Sequence, residues 1–139
     1  MNLNLEQLRA QVNDVFAETA AFRRDIHMHP ELSEHEARTE DLDALTAARR
    51  EEWARLDELG IPYEKDIAGH GVCATVYGQS TKKTVAIRAD IDALPITEQT
   101  GLPYASQNEG VMHACGHDMH TSILLGVAKI LKANQDSLP

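Results

Sequence analysis

Ten residues, Val111–His120, constrain this chain more than any other stretch: V-M-H-A-C-G-H-D-M-H. They hold three histidines, an aspartate and one of only two cysteines. Cys115 and His117 flank Gly116, and a glycine permits the tight bend that turns a thiolate and an imidazole toward one point. That pair is a ligand set typical of zinc, with cobalt and manganese as competitors. Asp118 is either a further ligand or an outer acceptor that fixes an imidazole tautomer. A loop with exposed histidines and a buried thiol fits the same residues. A catalytic zinc takes three protein ligands and a water, so Cys115 and His117 make a partial site whose other ligands lie elsewhere.

Bulk properties narrow the class. A chain of 139 residues suits one domain with a modest core. The formal charge of −9 repels phosphate backbones, and aromatics at 4% leave little stacking surface, so nucleic acid is excluded as a partner. No run approaches the roughly 20 apolar residues of a membrane span, and the N-terminus lacks a basic start and apolar signal core. A cytoplasmic protein with no membrane partner is expected. Two cysteines make no disulfide framework. Cys73, in V-C-A-T-V, reads as a buried strand thiol, with a Cys73–Cys115 bond as the minor alternative.

Along the chain, apolar residues from Leu5 to Ile26 recur at three- and four-residue steps and predict a helix over about 5–28, its apolar stripe in the core. It should end before Pro30, because a residue preceding proline resists the α region. His27 and His29 lie at that end, where imidazoles commonly cap carbonyls. Ser33 and Glu36 form a capping-box pattern that opens a second helix over about 33–59, stopped by Gly60. Residues 31–66 carry 12 of the 22 acids against five bases, spread as a solvated face. Short β-rich runs follow over about 61–91. Val85, Ile87 and Ala89 read as one side of a buried central strand. Asp90 and Asp92 end that run, where open α/β sheets place functional groups, although a turn before Pro95 fits them equally. After the ligand loop 111–120, residues of about 120–134 predict a largely buried helix with Ile123, Leu124, Val127, Ala128, Ile130 and Leu131 on its apolar face. The ligand loop therefore feeds a helix N-terminus, whose macrodipole favours anions.

Three ordered motifs, F-R-R-D-I-H-M-H-P-E-L-S, R-A-D-I-D-A-L-P-I-T-E-Q-T-G-L-P-Y-A-S and G-V-M-H-A-C-G-H-D-M-H-T-S, resemble the metal-dependent amidohydrolases. That family includes aminoacylases, hippurate hydrolases and indole-acetyl-amino-acid hydrolases, and is related to zinc carboxypeptidases and dipeptidases. The resemblance implies an α/β fold: the N-terminal portion of a zinc-exopeptidase-like catalytic domain, a mixed sheet flanked by helices. It implies a two-metal site, with zinc or manganese as the divalent metal, hydrolysing the amide of N-acyl amino acids or related peptides. Cys115 and His117 match the family's first two metal ligands. Asp90 matches an aspartate that follows a ligand histidine in related peptidases and is carried over as the orienting catalytic group, with Arg88 in that histidine's place.

The family's paired glutamates, one a general base, come later in its members, as do further histidine ligands and the lid domain through which they dimerise. The sequence runs to Pro139 and resembles about the first third of a member. Residues 41–53 are longer than usual. Neither Glu98 nor Glu109 sits in a motif comparable to the glutamate pair. General-base catalysis contributes roughly 10²–10⁴-fold, so the chain is expected to hold metal weakly and to be inactive alone, with homo-oligomers forming only through the lid domain. The alternative is a non-catalytic metal-binding or interaction fragment. A redox role for Cys115 is disfavoured, since no Cys-X-X-Cys exists.

Overall fold

The computed structural model describes residues 4–32, 53–68, 71–80 and 82–139. Helix α1 spans Leu5–Met28. Asn4 caps it by accepting a hydrogen bond from the Glu6 N–H at 3.0 Å, which satisfies one of the donors a helix start leaves free. At the other end His29 has left helical geometry, one residue before buried Pro30. The His29 ring Nδ1 lies 2.9 Å from the Asp25 carbonyl, the capping contact expected of a histidine there.

Residues 53–58 form helix α2; residues 33–52, on which the expected capping box and all but the last position of the longer stretch at 41–53 fall, lie outside the described residues. The end of α2 is a Schellman turn: Gly60 takes φ +60°, its N–H donates to Asp57, and the Ile61 N–H donates to Leu56. Leu56 and Ile61 are both buried, as the apolar contact that accompanies this turn requires.

Strands β1 (Tyr63–Ile67) and β2 (Gly71–Ala74) pair antiparallel, Tyr63 opposite Ala74 and Glu64 opposite Cys73, with an irregularity before Ile67. The hairpin is largely solvent-facing. Cys73 is exposed and both thiols are free, so neither the buried strand thiol nor the Cys73–Cys115 bond is found. One face of a two-stranded ribbon has too little above it to bury a side chain.

Past the hairpin the expectation of a central strand fails. Residues 82–92 run extended without a ladder partner among the described residues, and Val85 is 86% and Ile87 59% exposed. Regular pairing resumes only as two isolated bridges, Leu32 with Ala93 (parallel) and Leu94 with Met112 (antiparallel). The described residues thus show helices and a two-stranded sheet, coarsely an α/β arrangement, without the mixed sheet expected.

Helix α3 spans His117–Ala133, beginning three residues earlier than predicted because Gly116, at φ 78°, turns the chain straight into it. It runs antiparallel against α1: Asn134 meets Gln11, Lys129 meets Glu18, Gly126 approaches Thr19, and Asp118 meets Arg23. Among the described residues the end of α2 adds a further contact, Arg55 with Glu18, toward the middle of α1. Leu5, Val12 and Phe16, expected in the core, are exposed, as is Ile123 on α3. The buried apolar residues of α1 are Phe22 and Ile26, near its C-terminus, and the buried residues of α3 are polar, Asp118 and Ser122. No helix among the described residues is long and apolar enough to cross a membrane.

Candidate metal centre

Three segments converge beside the start of α3. Residues 93–94 and 112 are fastened by reciprocal backbone bonds, Leu94 N–H to Met112 O at 2.9 Å and Met112 N–H to Leu94 O at 3.0 Å. This brings the end of the extended segment against the ligand turn. Within the turn the Gly116 N–H donates to His113 O, and the Met119 and His120 N–H groups donate back to Gly116 O, starting the helix. Cys115 is exposed just before that start, and His117 is its first residue.

The sequence points to His117 as a ligand, and its surroundings suit that role. Nδ1 lies 2.9 Å from both the carbonyl and the Oδ1 of Asp92. An Nδ1–H donating there leaves Nε2 with the lone pair, the arrangement that orients metal-binding imidazoles. The neighbouring His120 ring is 5.5 Å away, centroid to centroid. Asp92, which sequence reasoning left between a site residue and a turn former, occupies the orienting position. Asp90 does not contact His117: its carboxylate pairs with exposed Arg88 and its carbonyl accepts from Thr121 Oγ1 at 3.0 Å. An alternation of side chains along an extended run would have sent both aspartates the same way. Here the two meet different partners, Asp92 the His117 ring and Asp90 Arg88.

Behind the turn lies a buried polar cluster that spacing along the chain did not reveal. The Asp118 side chain is 0% exposed, and its Oδ2 lies 2.5 Å from Arg23 Nε and 2.9 Å from His27 Nδ1. The other nitrogen of His27, Nε2, lies 3.2 Å from Glu98 Oε1. Glu98 also accepts from the Ser106 N–H at 2.6 Å and from Thr100 Oγ1. Burial alone would raise the Glu98 carboxyl, but the hydrogen bonds from Ser106, Thr100 and His27 outweigh it and hold it below the ordinary glutamate value. His113, buried beside this cluster, is pushed below the ordinary histidine value chiefly by desolvation, with the Asp118 charge opposing. Asp118 is thus an outer acceptor, as one sequence reading had it, but for His27 on α1. The signal available was the four-residue step from Arg23 to His27, which places both on one face of a helix.

Cys115 and His117 fit a divalent metal in donor type, a thiolate and an Nε2-presenting imidazole on one glycine turn. They are two donors. No group of three His, Cys, Asp or Glu among the described residues stands ready to enclose an ion.

The sequence profile of Peptidase family M20/M25/M40 matches residues 86–139, from the extended segment through α3. The chain is 51% identical over 116 residues to N-acetyl-L-cysteine deacetylase of Bacillus subtilis, covering 84% of this chain and 26% of that protein. It is 42% identical over 133 residues to N-acyl-L-amino acid amidohydrolase of Geobacillus stearothermophilus, covering 96% and 34%. The fold superimposes on the crystal structure of the Bacillus subtilis YXEP protein, described as a dinuclear metal binding peptidase of the M20 family. The TM-score is 0.74 at 40% identity, over 88% of this chain and 32% of that one. The chain therefore spans between about a quarter and a third of the length of these relatives. The chain is thus similar to a part of these amidohydrolases and peptidases, and its residues 86–139 to peptidase family M20/M25/M40.

Proposed function

We propose that this chain supplies part of the divalent-metal centre of an amidohydrolase acting on N-acyl amino acids or small peptide amides. The observation that carries the reading is the His117 ring, fixed at Nδ1 by Asp92, two residues from exposed Cys115. When bound, a divalent metal such as zinc or manganese polarises an amide carbonyl and lowers the pKa of bound water. The chain's own residues hold and orient. Cys115 and His117 donate, Asp92 keeps the His117 ring turned, and the N-terminal end of α3 favours the anionic ligands gathered there. Asp90 belongs to the same segment end and, lacking contact with His117, would act on that ring only by moving off Arg88.

A proton acceptor for the attacking water is not among these groups. Glu98 already accepts three hydrogen bonds behind the turn. Glu109 is exposed on its loop. Two donors and no free buried glutamate among the described residues favour, as the second reading, a chain that binds metal without turning over substrate.

The test is an assay of the purified, folded chain on a panel of N-acyl amino acids with added zinc, manganese or cobalt, alongside Cys115→Ala. Turnover abolished by Cys115→Ala supports the hydrolase reading for the chain itself. Metal binding lost in Cys115→Ala with no turnover in either protein supports the second reading. Absence of metal binding sinks both.

A further inference from the structure

We infer that Asp118 is a positioning residue for the metal-ligand turn, and that Arg23 and His27 make helix α1 part of that device. The inference rests on the reading that Cys115 and His117 hold the metal. It starts from a deficit. The residue that opens α3, Gly116, has no side chain with which to cap the helix, and no side-chain cap is present. A serine or aspartate there would tie the turn to the helix it begins.

The carboxylate next available, Asp118, stands in the first turn, where acidic side chains usually face their own helix N–H groups. It faces α1 instead, with Arg23 Nε at 2.5 Å and His27 Nδ1 at 2.9 Å. Its backbone is held as well, since buried Ser122 donates from Oγ to the Asp118 carbonyl at 2.7 Å. His27 cannot swing away easily, because Nε2 rests on Glu98, which the Ser106 N–H and Thr100 hold in turn.

Successive residues of an α-helix point about 100° apart around the axis. Pinning Asp118 against α1 therefore fixes the direction in which His117 points, and His117 meets Asp92 on the other side. Two carboxylates thus clamp adjacent residues from different directions, one through the helix and one through the ring. Cys115, one residue before Gly116, inherits its direction from the same clamp. A purely structural role for Asp118 would stabilise the α1–α3 contact without setting the geometry at the metal.

The test uses Co²⁺ titration of the reduced 139-residue chain, read as the thiolate-to-cobalt charge-transfer band and as affinity, with folding followed separately by circular dichroism. His27→Ala and Asp118→Asn should remain helical while Co²⁺ affinity falls about ten- to a hundredfold, the usual effect of losing an outer partner, with the band weakened or shifted. His27→Gln, which keeps an amide donor toward Asp118, should recover part of the loss. Glu18→Ala, which removes the α1–α3 ion pair with Lys129 at a distance from the turn, should bind Co²⁺ as the parent does. If His27→Ala does not fold, Asp118→Asn, equal in volume, decides. A folded His27→Ala or Asp118→Asn with the parent's affinity and band overturns the positioning role alone. An equal loss in Glu18→Ala overturns it too, since any weakening of the helix pair would then suffice. A parent chain with no band abolished by Cys115→Ala overturns the metal reading, and the positioning role falls with it.

Discussion

The buried cluster behind the ligand turn and the extended segment 82–92 differ sharply: one is nearly all polar and enclosed, while the other leaves its apolar residues Val85 and Ile87 open to solvent. Arg23, His27, Glu98 and Asp118 meet across three separate segments. Val85 and Ile87, the residues a hydrophobicity scale would bury first, face solvent. The difference lies in what each needs from its neighbours. A charge cluster is complete once four side chains meet, and a long antiparallel helix contact supplies three of them. A strand is complete only when another strand lies on each side and a layer on each face.

If the cluster carries stability and the segment does not, substitutions in the two should differ by several kcal/mol. The largest effect is expected at Asp118→Ala, which leaves Arg23 and His27 facing each other without their carboxylate. Removing one member of a buried ion pair costs about 3–5 kcal/mol. Urea unfolding of parent and variant, followed by far-UV circular dichroism, measures it. A loss under about 1 kcal/mol would place Asp118 in the energetic class of surface pairs.

The same cluster should make stability depend on pH in two stages. His113 is held below its ordinary 6.5, so on acidification the unfolded chain takes up that proton first. Stability present above 6.5 is then lost as pH falls toward the folded value. Glu98 is held below its ordinary 4.5, so its contribution is present above 4.5 and is lost as pH falls through the folded value. Unfolding midpoints measured from pH 8 to pH 3 should show both declines. His113→Asn should remove its part of the upper one and Glu98→Gln its part of the lower. An unchanged profile in both variants would mean the cluster is not a titrating unit.

What could be read in the sequence divides along the same line. Helix α1 was legible because three- and four-residue spacing is a local property, and Gly60 announced the end of α2 for the same reason. Cys115 and His117 were legible as donors through residue type and the glycine between them. Which aspartate would reach His117 was not, because that depends on how the segment is fastened against the ligand turn by Leu94 and Met112, a contact remote in sequence. Nor was the burial of the apolar stripe on α1, since burial depends on a second surface that no window along the chain contains. Phe16 and Phe22 look alike in periodicity, and only Phe22 is buried.

Smaller effects belong to the open segment. Val85→Lys removes almost no buried area and should leave stability within about ±0.5 kcal/mol of the parent, and Ile87→Lys, at a residue 59% exposed, should cost somewhat more but under about 1 kcal/mol. They should, however, change behaviour at high concentration. An extended run with free backbone groups and apolar side chains is a template for pairing with another chain, and lysine is a common blunting device on such edges. Light scattering at rising concentration should show less association in the lysine variants. A destabilisation above about 1 kcal/mol in dilute solution would mean that the segment is covered after all.

The smallest effect is expected at Arg88→Ala. The guanidinium is 84% exposed and reaches Asp90 across solvent, and such pairs contribute roughly 0–1 kcal/mol because water and salt screen them. The substitution nonetheless sharpens the comparison, because it frees Asp90 at the junction between the open segment and the turn. If Asp92 alone orients His117, Arg88→Ala should leave Co²⁺ affinity and the thiolate band where they are. If Asp90, once released, competes for the same ring, the affinity should change while stability does not. The orienting carboxylate would then be chosen by Arg88 rather than by the backbone pairing that seats the segment against the turn.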